Sequence, residues 1–522
     1  MSAPCLTIAE LTVESARGVR PELDRFSLAV GAGETVVLLG EAGCGKEAVM
    51  RVLAGAPEPG ETFAGTLQFG MADAERVSKP VKPPLRTVYL PSVSSHPLSP
   101  YASTVSQLVR IIARKLDVPR PAAREEFAHA LERLTGAPPL AAFERKPPAL
   151  SHEALAWGFF AAAFAQKPEF LLADHALSRL APTQARMLAR ALLAEQQRQG
   201  FAMLYAAMNT EVAAWLGGRV VMMRHGRIVE EGPIARLSSA QAHAYTQTFF
   251  KAMTPTQSVP GAVRPTGRGQ PVLQASGIEF TREKRPALTF ELRRGAALAL
   301  LGEDGSGRHA LVNVLLGLDR PRAGRVVLDA VDVGILSETM KLRLRRRVAM
   351  IVGNDDVLDQ RMTLWDTVAE PLRAHLKLPR DLVATYRDAA LKRVGLASLP
   401  GDRTVSELSA FDKRRLQVAR AIVSAPLLAV IDEPLRGLDA FAQSVMRDLL
   451  RNLRAQEGPA FIVITADVAA ANALCDDAMV LQAGQVIERG PLAELIRAPK
   501  EAYTRALIEA SLGSLSPAAP QG

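Results

Sequence analysis

The 522-residue chain contains an internal repeat with a constant spacing of 258 residues. One apolar run ends at Asp174, and a similar run ends at Asp432, 258 positions later. The same spacing relates three further pairs of segments: 150–151 and 408–409, 226–233 and 484–491, and 244–246 and 502–504. A constant offset over four unrelated segments indicates a duplicated domain.

Each copy also contains a glycine-rich loop between an apolar run and a helix-like segment, at residues 40–47 and 302–309. In such loops, glycines let backbone N–H groups surround phosphate oxygens, a lysine reaches the outer phosphates, and a Ser or Thr hydroxyl holds Mg²⁺. The first loop keeps Lys46 but has Glu47 at the hydroxyl position, and the second has Arg308 and His309. The loops predict nucleotide sites, whereas the substitutions argue against efficient turnover.

Alternating strand and helix patterns in each copy predict an α/β fold with a parallel sheet, whose carboxyl ends carry the phosphate loops. We expect a first domain at residues 1–253 and a second at 272–513. The Pro- and Gly-rich stretch 254–271 is predicted to be a linker, and 514–522 a flexible tail.

Composition narrows the class of protein. No apolar run approaches the roughly 20 residues that span a bilayer, and no secretory signal opens the chain. The 3 scattered cysteines suit a reducing cytoplasm. A net charge of +9 could favour nucleic acid or an anionic lipid surface, but the basic stretches, such as 341–347, are short and typical of solvated helices.

In each copy the glycine-rich loop is followed by a Leu-Ser segment (150–151 or 408–409) and then by the strand that ends in Asp174 or Asp432. With this order of motifs, the chain resembles a tandem ATP-binding-cassette (ABC) ATPase. This resemblance covers nearly the whole chain and implies two tandem P-loop domains, each with a mixed, largely parallel sheet, flanking helices and a helical subdomain. Within the family, the chain is most similar to importers of oligopeptides, dipeptides and nickel, on the evidence of residues 349–352, 361–363, 228–233 and 503–507. That group's cysteine-rich tail is missing.

Laid over the family's motifs, the sequence departs from them in both copies. Ser92 and Gly353 stand where the family has the glutamine of its glutamine loop. Met208 and Ala466 stand where it has the histidine of its switch. Residues 150–154 and 408–412 stand where it has its signature motif. His175 follows Asp174, where the family has a catalytic glutamate, whereas Glu433 follows Asp432. The ring of Phe411 and the charges of Glu153 and Asp412 should disfavour close approach of an anion.

The resemblance also implies roles for individual residues. Glu433 and His175 are the catalytic candidates, and Asp174 and Asp432 are the metal ligands. The nucleotide-binding candidates are Gly40, Ala42, Gly43, Cys44, Gly45, Lys46, Glu47, Gly302, Gly305, Ser306, Gly307, Arg308, His309, Ser151 and Ser409. Glu47 is either a substitute metal ligand or a residue that stabilises an empty loop. His175 is a replacement base or a product of drift, and a metal or pH-sensing pair of His152 and His309 is disfavoured because no third ligand is identifiable.

We therefore expect a cytoplasmic subunit, peripheral on the inner face of the cell membrane, that binds ATP and Mg²⁺. Its expected partners are membrane permease subunits and a substrate-binding protein of a peptide-type importer, not nucleic acid. The two cassettes are expected to pair head to tail within the chain, with hydrolysis slow or absent. The alternative is a catalytically inactive cassette scaffold or regulator. A ribosome-acting factor is disfavoured, because residues 254–271 are too short for such a factor's charged helical arm.

Overall fold

The computed structural model describes residues 4–14, 21–70, 75–76, 86–92, 98–134, 136–178, 180–253, 271–281, 286–336, 340, 344–353, 357–376, 378–455 and 458–512. The predicted linker, apart from Pro271, and the predicted tail lie outside these residues. The chain divides into two compact units, the first built mainly from residues up to 254 and the second mainly from later residues.

The first unit contains two sheets. The strands in chain order are β1 (Pro4–Glu14), β2 (Leu23–Gly31), β3 (Thr35–Leu39), β4 (Thr62–Phe69), β5 (Glu75–Arg76), β6 (Thr87–Leu90), β7 (Phe170–Asp174), β8 (Ala202–Ala207), β9 (Arg219–Arg224) and β10 (Arg227–Gly232). One sheet is antiparallel, in the order β2-β1-β4-β5. The other has the order β10-β9-β3-β8-β7-β6 and is parallel except for β10.

The helices of the first unit connect and cover these strands. They are α1 (Lys46–Ala54), α2 (Thr104–Leu116), α3 (Arg120–Arg133), α4 (His152–Ala165), α5 (Pro182–Gln199), α6 (Thr210–Leu216), α7 (Ile234–Leu237) and α8 (Ala244–Met253). Short 3₁₀ turns lie at Leu140–Glu144 and Pro147–Ala149. Helices α2, α3 and α4 pack on one another and form the helical subdomain.

The second unit repeats this architecture. Its strands are β11 (Leu273–Glu279), β12 (Leu288–Leu292), β13 (Ala297–Leu301), β14 (Ala323–Leu328), β15 (Val331–Asp332), β16 (Val348–Val352), β17 (Leu428–Asp432), β18 (Ala460–Thr465), β19 (Asp477–Gln482) and β20 (Gln485–Pro491). The antiparallel sheet has the order β12-β11-β14-β15, and the mixed sheet β16-β17-β18-β13-β19-β20. Strand for strand, this is the order found in the first unit.

Its helices are α9 (Arg308–Leu315), α10 (Leu364–His375), α11 (Arg380–Arg393), α12 (Ala410–Ile422), α13 (Ala440–Ala455), α14 (Val468–Leu474), α15 (Leu492–Arg497) and α16 (Ala502–Leu512). The 3₁₀ turns lie at Val333–Ile335 and Val405–Glu407. Helices α10, α11 and α12 form the second helical subdomain.

The core explains why the central strands are apolar throughout. Strands β3, β8, β13 and β18 are buried along their full length, as parallel strands covered on both faces must be. The tandem α/β architecture predicted from the sequence is confirmed. Among the described residues, no helix is both long enough and apolar enough to cross a bilayer.

Candidate functional site

The first phosphate loop joins the carboxyl end of β3 to the N-terminus of α1. Gly43 and Gly45 have φ angles of +74° and +108°, which favour glycine. A Cβ atom on Gly45 would lie 2.6 Å from Glu22 O, and one on Gly40 would lie 2.5 Å from Met223 O. The loop therefore requires glycine at these positions, and its backbone fits a phosphate-binding turn. Ala42 is exposed on the loop, and Cys44 is buried, which raises the pKa of its thiol.

The Lys46 side chain is fully buried and folds back along its own loop. Its Nζ atom donates to Glu41 O at 2.8 Å and to Gly40 O at 3.2 Å, and it lies 3.2 Å from Glu47 Oε1. Burial by itself lowers the pKa of Lys46, but Cys44 and Glu47 outweigh burial and the pKa lies above its usual value. The ammonium is thus charged and held against two carbonyls of its own loop.

Glu47 links the phosphate loop to the end of β7. Its Oε1 atom lies 3.3 Å from Nε2 of His175, the residue that follows Asp174. Burial alone raises the pKa of Glu47, but the hydrogen bond with His175 and the charge of Lys46 outweigh it and lower the pKa to about 2. Glu47 is therefore ionised at neutral pH, and its charge lies beside Lys46, the residue predicted to reach phosphate.

His175 is almost fully buried at a strained position of the backbone. Its φ angle is +50°, and Glu433 at the same position of the second unit has a φ angle of +47°. A left-handed conformation at a residue other than glycine requires support from its surroundings. The His175 Nδ1 atom is buried and has no hydrogen-bond partner in the part of the chain that the structure describes.

The second phosphate loop has the same form as the first, between β13 and α9. Gly305 and Gly307 have φ angles of +81° and +98°, and a Cβ atom on Gly302 would lie 2.5 Å from Leu481 O. The Oγ atom of Ser306 is buried and lacks a hydrogen-bond partner among the described residues. The backbone of this loop therefore remains compatible with an anion, as in the first unit.

Arg308 makes this loop chemically different from the first. Its side chain is 1% exposed and points away from solvent, with Nη2 3.2 Å from Asp304 Oδ1 and Nη1 3.5 Å from Glu433 Oε1. Lys46 lies against two backbone carbonyls and one carboxylate, that of Glu47, whereas Arg308 lies between two carboxylates. Its charge is therefore neutralised by the protein itself.

Glu433 is engaged through both of its carboxylate oxygens. Besides Arg308, Oε1 lies 3.0 Å from Arg436 Nη2 and accepts the N–H of Ala466 at 3.1 Å, and Oε2 accepts the Thr465 hydroxyl at 2.9 Å. These are the hydrogen bonds of a buried counter-ion.

The two aspartates that end the strands each have one oxygen without a hydrogen bond among the described residues. Asp174 accepts from the Tyr89 hydroxyl at 2.7 Å through Oδ2, and Asp432 lies 3.0 Å from His309 Nε2 through Oδ2. The Oδ1 atom of each is buried without a hydrogen-bond partner among the described residues. The hydrogen bond that His309 donates to Asp432 raises the pKa of His309.

These orphaned carboxylate oxygens fit the role of metal ligands, because Mg²⁺ takes one or two carboxylates and completes its shell with water and phosphate. Within the described ranges, no group of three or more His, Cys, Asp or Glu side chains could hold a metal by itself. Asp174 and Asp432 would therefore hold Mg²⁺ together with nucleotide phosphates, which the metal would help to neutralise.

Both Leu-Ser segments lead into helices that their serines cap. Ser151 accepts the N–H of Ala154 at 3.1 Å at the start of α4, and Ser409 accepts the N–H of Asp412 at 3.0 Å at the start of α12. Asp412 also forms an ion pair with Arg415, whose guanidinium lies over the Phe411 ring. The first turn of α12 is therefore covered by side chains of its own helix.

The sequence interpretation missed several residues at these loops. One is Tyr89, whose hydroxyl donates to Asp174. The Tyr503 hydroxyl accepts the N–H of Glu303 at 2.8 Å, so that α16 is fixed to the second phosphate loop. Tyr245, its counterpart 258 residues earlier, lies near the first loop and donates to Met223 O at 3.4 Å. The repeat of Ala-Tyr-Thr was the signal that could have identified both tyrosines.

Comparison with known proteins agrees with this geometry. The sequence model described as "ABC transporter" matches residues 23–178 and 286–436, which together make up more than half of the chain. The chain belongs to the ABC transporter family. It is a tandem ABC ATPase that resembles the ATP-binding subunits of peptide-type importers, and the predicted family is confirmed.

Three relatives match this tandem ABC ATPase over nearly its whole length. The uncharacterized ABC transporter ATP-binding protein YejF of Escherichia coli (strain K12) is 27% identical, over 98% of this chain and 100% of the relative. The peptidoglycan transport ATP-binding protein YejF of Agrobacterium fabrum is 27% identical, over 97% and 96%. The glutathione import ATP-binding protein GsiA of Pectobacterium atrosepticum is 25% identical, over 93% and 85%.

Among solved structures, cbiO1 from Clostridium perfringens, part of the ABC transporter complex cbiONQ, is 25% identical. It covers 47% of this chain and 97% of its own, with a TM-score of 0.41.

Proposed function

We propose that this protein is the ATP-binding subunit of an importer for peptide-like compounds. It would act at the inner face of the cell membrane, on separate permease subunits that receive substrate from a binding protein. The observation that carries the proposal is the match to tandem relatives over nearly the full length of both chains, including proteins named for glutathione import and peptidoglycan transport. ATP and Mg²⁺ are the proposed ligands.

Nucleotide is proposed to bind mainly at Lys46. This residue keeps a buried, charged ammonium on the glycine loop with a single carboxylate, that of Glu47, beside it, and Asp174 keeps one oxygen without a hydrogen bond that the metal could use. In the second unit, Arg308 is already neutralised by Asp304 and Glu433. By resemblance to the family, we propose that the two cassettes pair head to tail and that Ser151 and Ser409 contribute to the paired sites.

Hydrolysis is proposed to be slow. In the first unit, the position of the water-orienting glutamate is taken by His175, whose Nε2 faces Glu47. In the second unit, Glu433 is present but both of its oxygens are engaged by protein groups. Phosphoryl transfer depends on positioning and charge stabilisation, so loss of either usually costs orders of magnitude in rate.

A scaffold or regulator that does not drive transport is the second candidate. The ion pair of Arg308 with Glu433 favours it, because the two side chains expected to act on phosphate neutralise each other. The two candidates differ in whether nucleotide binding at Lys46 is needed for function in cells.

The test combines nucleotide titration with uptake. Wild-type protein, Lys46→Ala and Arg308→Ala are titrated with ATP and Mg²⁺, and phosphate release is measured on the same samples. Uptake of a labelled small peptide is then measured in cells that carry the permeases. The matched control is Lys167→Ala, a surface lysine paired with Glu126.

We expect Lys46→Ala to abolish most binding and all uptake, whereas Lys167→Ala changes neither. Normal uptake with a folded Lys46→Ala protein would support the scaffold. Phosphate release by wild-type protein at ordinary transporter rates would refute slow hydrolysis.

A further inference from the structure

Two arginines of the second unit converge on one turn of its backbone. Arg308 comes from the first residue of α9 and Arg414 from α12, and each is 1% exposed. Both contact the residues that directly follow β17, Glu433 and Pro434. We call these two arginines the arginine clamp.

Arg308 holds the side chain of that turn together with Arg436, whose Nη2 atom lies 3.0 Å from Glu433 Oε1. The Arg308 guanidinium bridges Asp304 of the phosphate loop and Glu433 of the turn, at 3.2 and 3.5 Å. The same Glu433 carboxylate reaches β18 through the hydroxyl of Thr465 and the N–H of Ala466. One carboxylate, only 12% exposed, therefore ties the phosphate loop to two strand ends.

Arg414 holds the backbone of the same turn. It donates to Gly353 O at 2.6 Å, to Pro434 O at 3.0 Å and to Glu433 O at 3.5 Å. Gly353 follows β16, and a Cβ atom there would lie 2.4 Å from Glu433 O. The buried guanidinium of Arg414 thus joins the helical subdomain to the ends of β16 and β17. The two strand ends approach so closely that residue 353 can carry no side chain.

The first unit has no counterpart of this arrangement among its described residues. Ala156 lies 258 residues before Arg414 and carries no donor, and His175 stands at the position of Glu433. The Lys46 ammonium lies on the carbonyls of its own loop and pairs with Glu47, its neighbour. Among the described residues of the first unit, no buried cation fixes the helical subdomain or the loop lysine to the end of β7.

We propose that Arg308 and Arg414 are positioning residues that hold the second phosphate loop, the Glu433 turn and the helical subdomain in one arrangement without nucleotide. The second unit is then the static half of the protein, and the conformational response to nucleotide is confined to the first. Opening the turn requires a buried ion pair and three hydrogen bonds to carbonyls to break together, which makes the open state rare. The confinement to the first unit rests on the proposed binding of nucleotide at Lys46.

The test is amide hydrogen exchange on the full-length chain without nucleotide. The backbone amides of three residues report on the turn. The amide of Gly353 donates to Asp432 O, and that of Glu433 donates to Ile464 O. The amide of Ala466 donates to Glu433 Oε1. Arg308→Met and Arg414→Met should speed exchange at these amides at least tenfold, with little change in β11 or β12. Arg415→Met is the matched control on the same helix, and it should leave the three amides unchanged.

Conservative variants separate positioning from general destabilisation. Arg308→Lys keeps a charge beside Glu433 and should recover most of the slow exchange, whereas Glu433→Gln removes the counter-ion with little change of shape and should speed it. Folded clamp variants with wild-type exchange at the three amides would overturn the proposal. So would equal acceleration over the whole second unit. If a methionine variant does not fold, Glu433→Gln decides by the same criterion.

Addition of ATP and Mg²⁺ to wild-type protein tests the second half of the proposal. Exchange should slow in residues 40–47 and stay unchanged in residues 302–309. Equal slowing in both loops would overturn the static role of the second unit. If exchange slows in neither loop, binding at Lys46 is refuted, while the nucleotide-free experiment still decides whether the clamp exists.

Discussion

Replacing Glu47 by glutamine should strengthen nucleotide binding in the absence of metal. Glu47 is ionised, and its Oε1 atom lies 3.2 Å from the ammonium that the first loop offers to phosphate. Glutamine has the same size and can still hydrogen-bond to Lys46 and His175. The substitution therefore removes one negative charge from the site with little change in packing.

The magnitude follows from the distances. A phosphate oxygen bound to Lys46 Nζ at about 2.8 Å would lie within about 6 Å of Glu47 Oε1. At an effective dielectric constant of about 20, two unit charges at about 6 Å repel by roughly 2.8 kcal/mol. Because the Glu47 side chain is 32% exposed, solvent screening reduces the repulsion to about 1.4 kcal/mol, or about tenfold in affinity.

The assay is titration of wild-type protein and Glu47→Gln with ATP at fixed pH and salt, first in the presence of a chelator and then with Mg²⁺. Glu58→Gln, which removes an exposed glutamate of the same unit, is the control. Unchanged or weaker affinity of Glu47→Gln without metal would refute the electrostatic reasoning. If Glu47 is a metal ligand, wild-type protein should bind ATP more tightly than Glu47→Gln once Mg²⁺ is added. If Glu47 instead stabilises the empty loop, Glu47→Gln should remain the tighter binder with Mg²⁺.

Two further predictions concern stability. Gly45→Ala should cost about 3 kcal/mol in the free energy of unfolding, because its φ angle is +108° and the new Cβ meets Glu22 O at 2.6 Å. Gly43→Ala, where φ is +74° but the space is open, should cost only about 1–2 kcal/mol; equal costs in denaturant titrations would contradict the steric argument. The raised pKa of His309 implies stability that is present below its unfolded pKa and is lost as pH rises through its folded pKa. The second unit should thus become slightly less stable as pH rises above the ordinary histidine pKa of about 6.5, and the effect should be small because the side chain is more than half exposed. His309→Gln should abolish this pH dependence of the melting temperature, and a pH dependence that persists in the variant would assign it to another group.

The fold could be predicted because its signals are local or periodic. A strand of buried apolar residues, a glycine loop and a helix start follow one another at residues 35–54 and at 297–315, and the 258-residue repeat doubles the evidence. The glycines at 45 and 307 were informative because a left-handed backbone accepts few other residues.

Contacts between residues distant in sequence could not be predicted in the same way. The contact of Glu47 with His175 spans 128 residues, and that of Arg308 with Glu433 spans 125. Both substitutions were visible in the sequence, but their pairing depends on how closely a helix start approaches the end of a neighbouring strand. Arg414 gave no motif signal at all, because its role is to satisfy backbone carbonyls that only the folded chain brings together.

The central claim is that the first loop still binds nucleotide while cleavage of its terminal phosphate is slow. The most direct measurement is a single-turnover experiment with radiolabelled ATP and Mg²⁺, in which bound nucleotide and released phosphate are quantified on the same protein. The account predicts about one nucleotide per chain, lost in Lys46→Ala, and phosphate release far below the roughly 10 s⁻¹ of a typical enzyme. Two nucleotides per chain with release near that rate would contradict it.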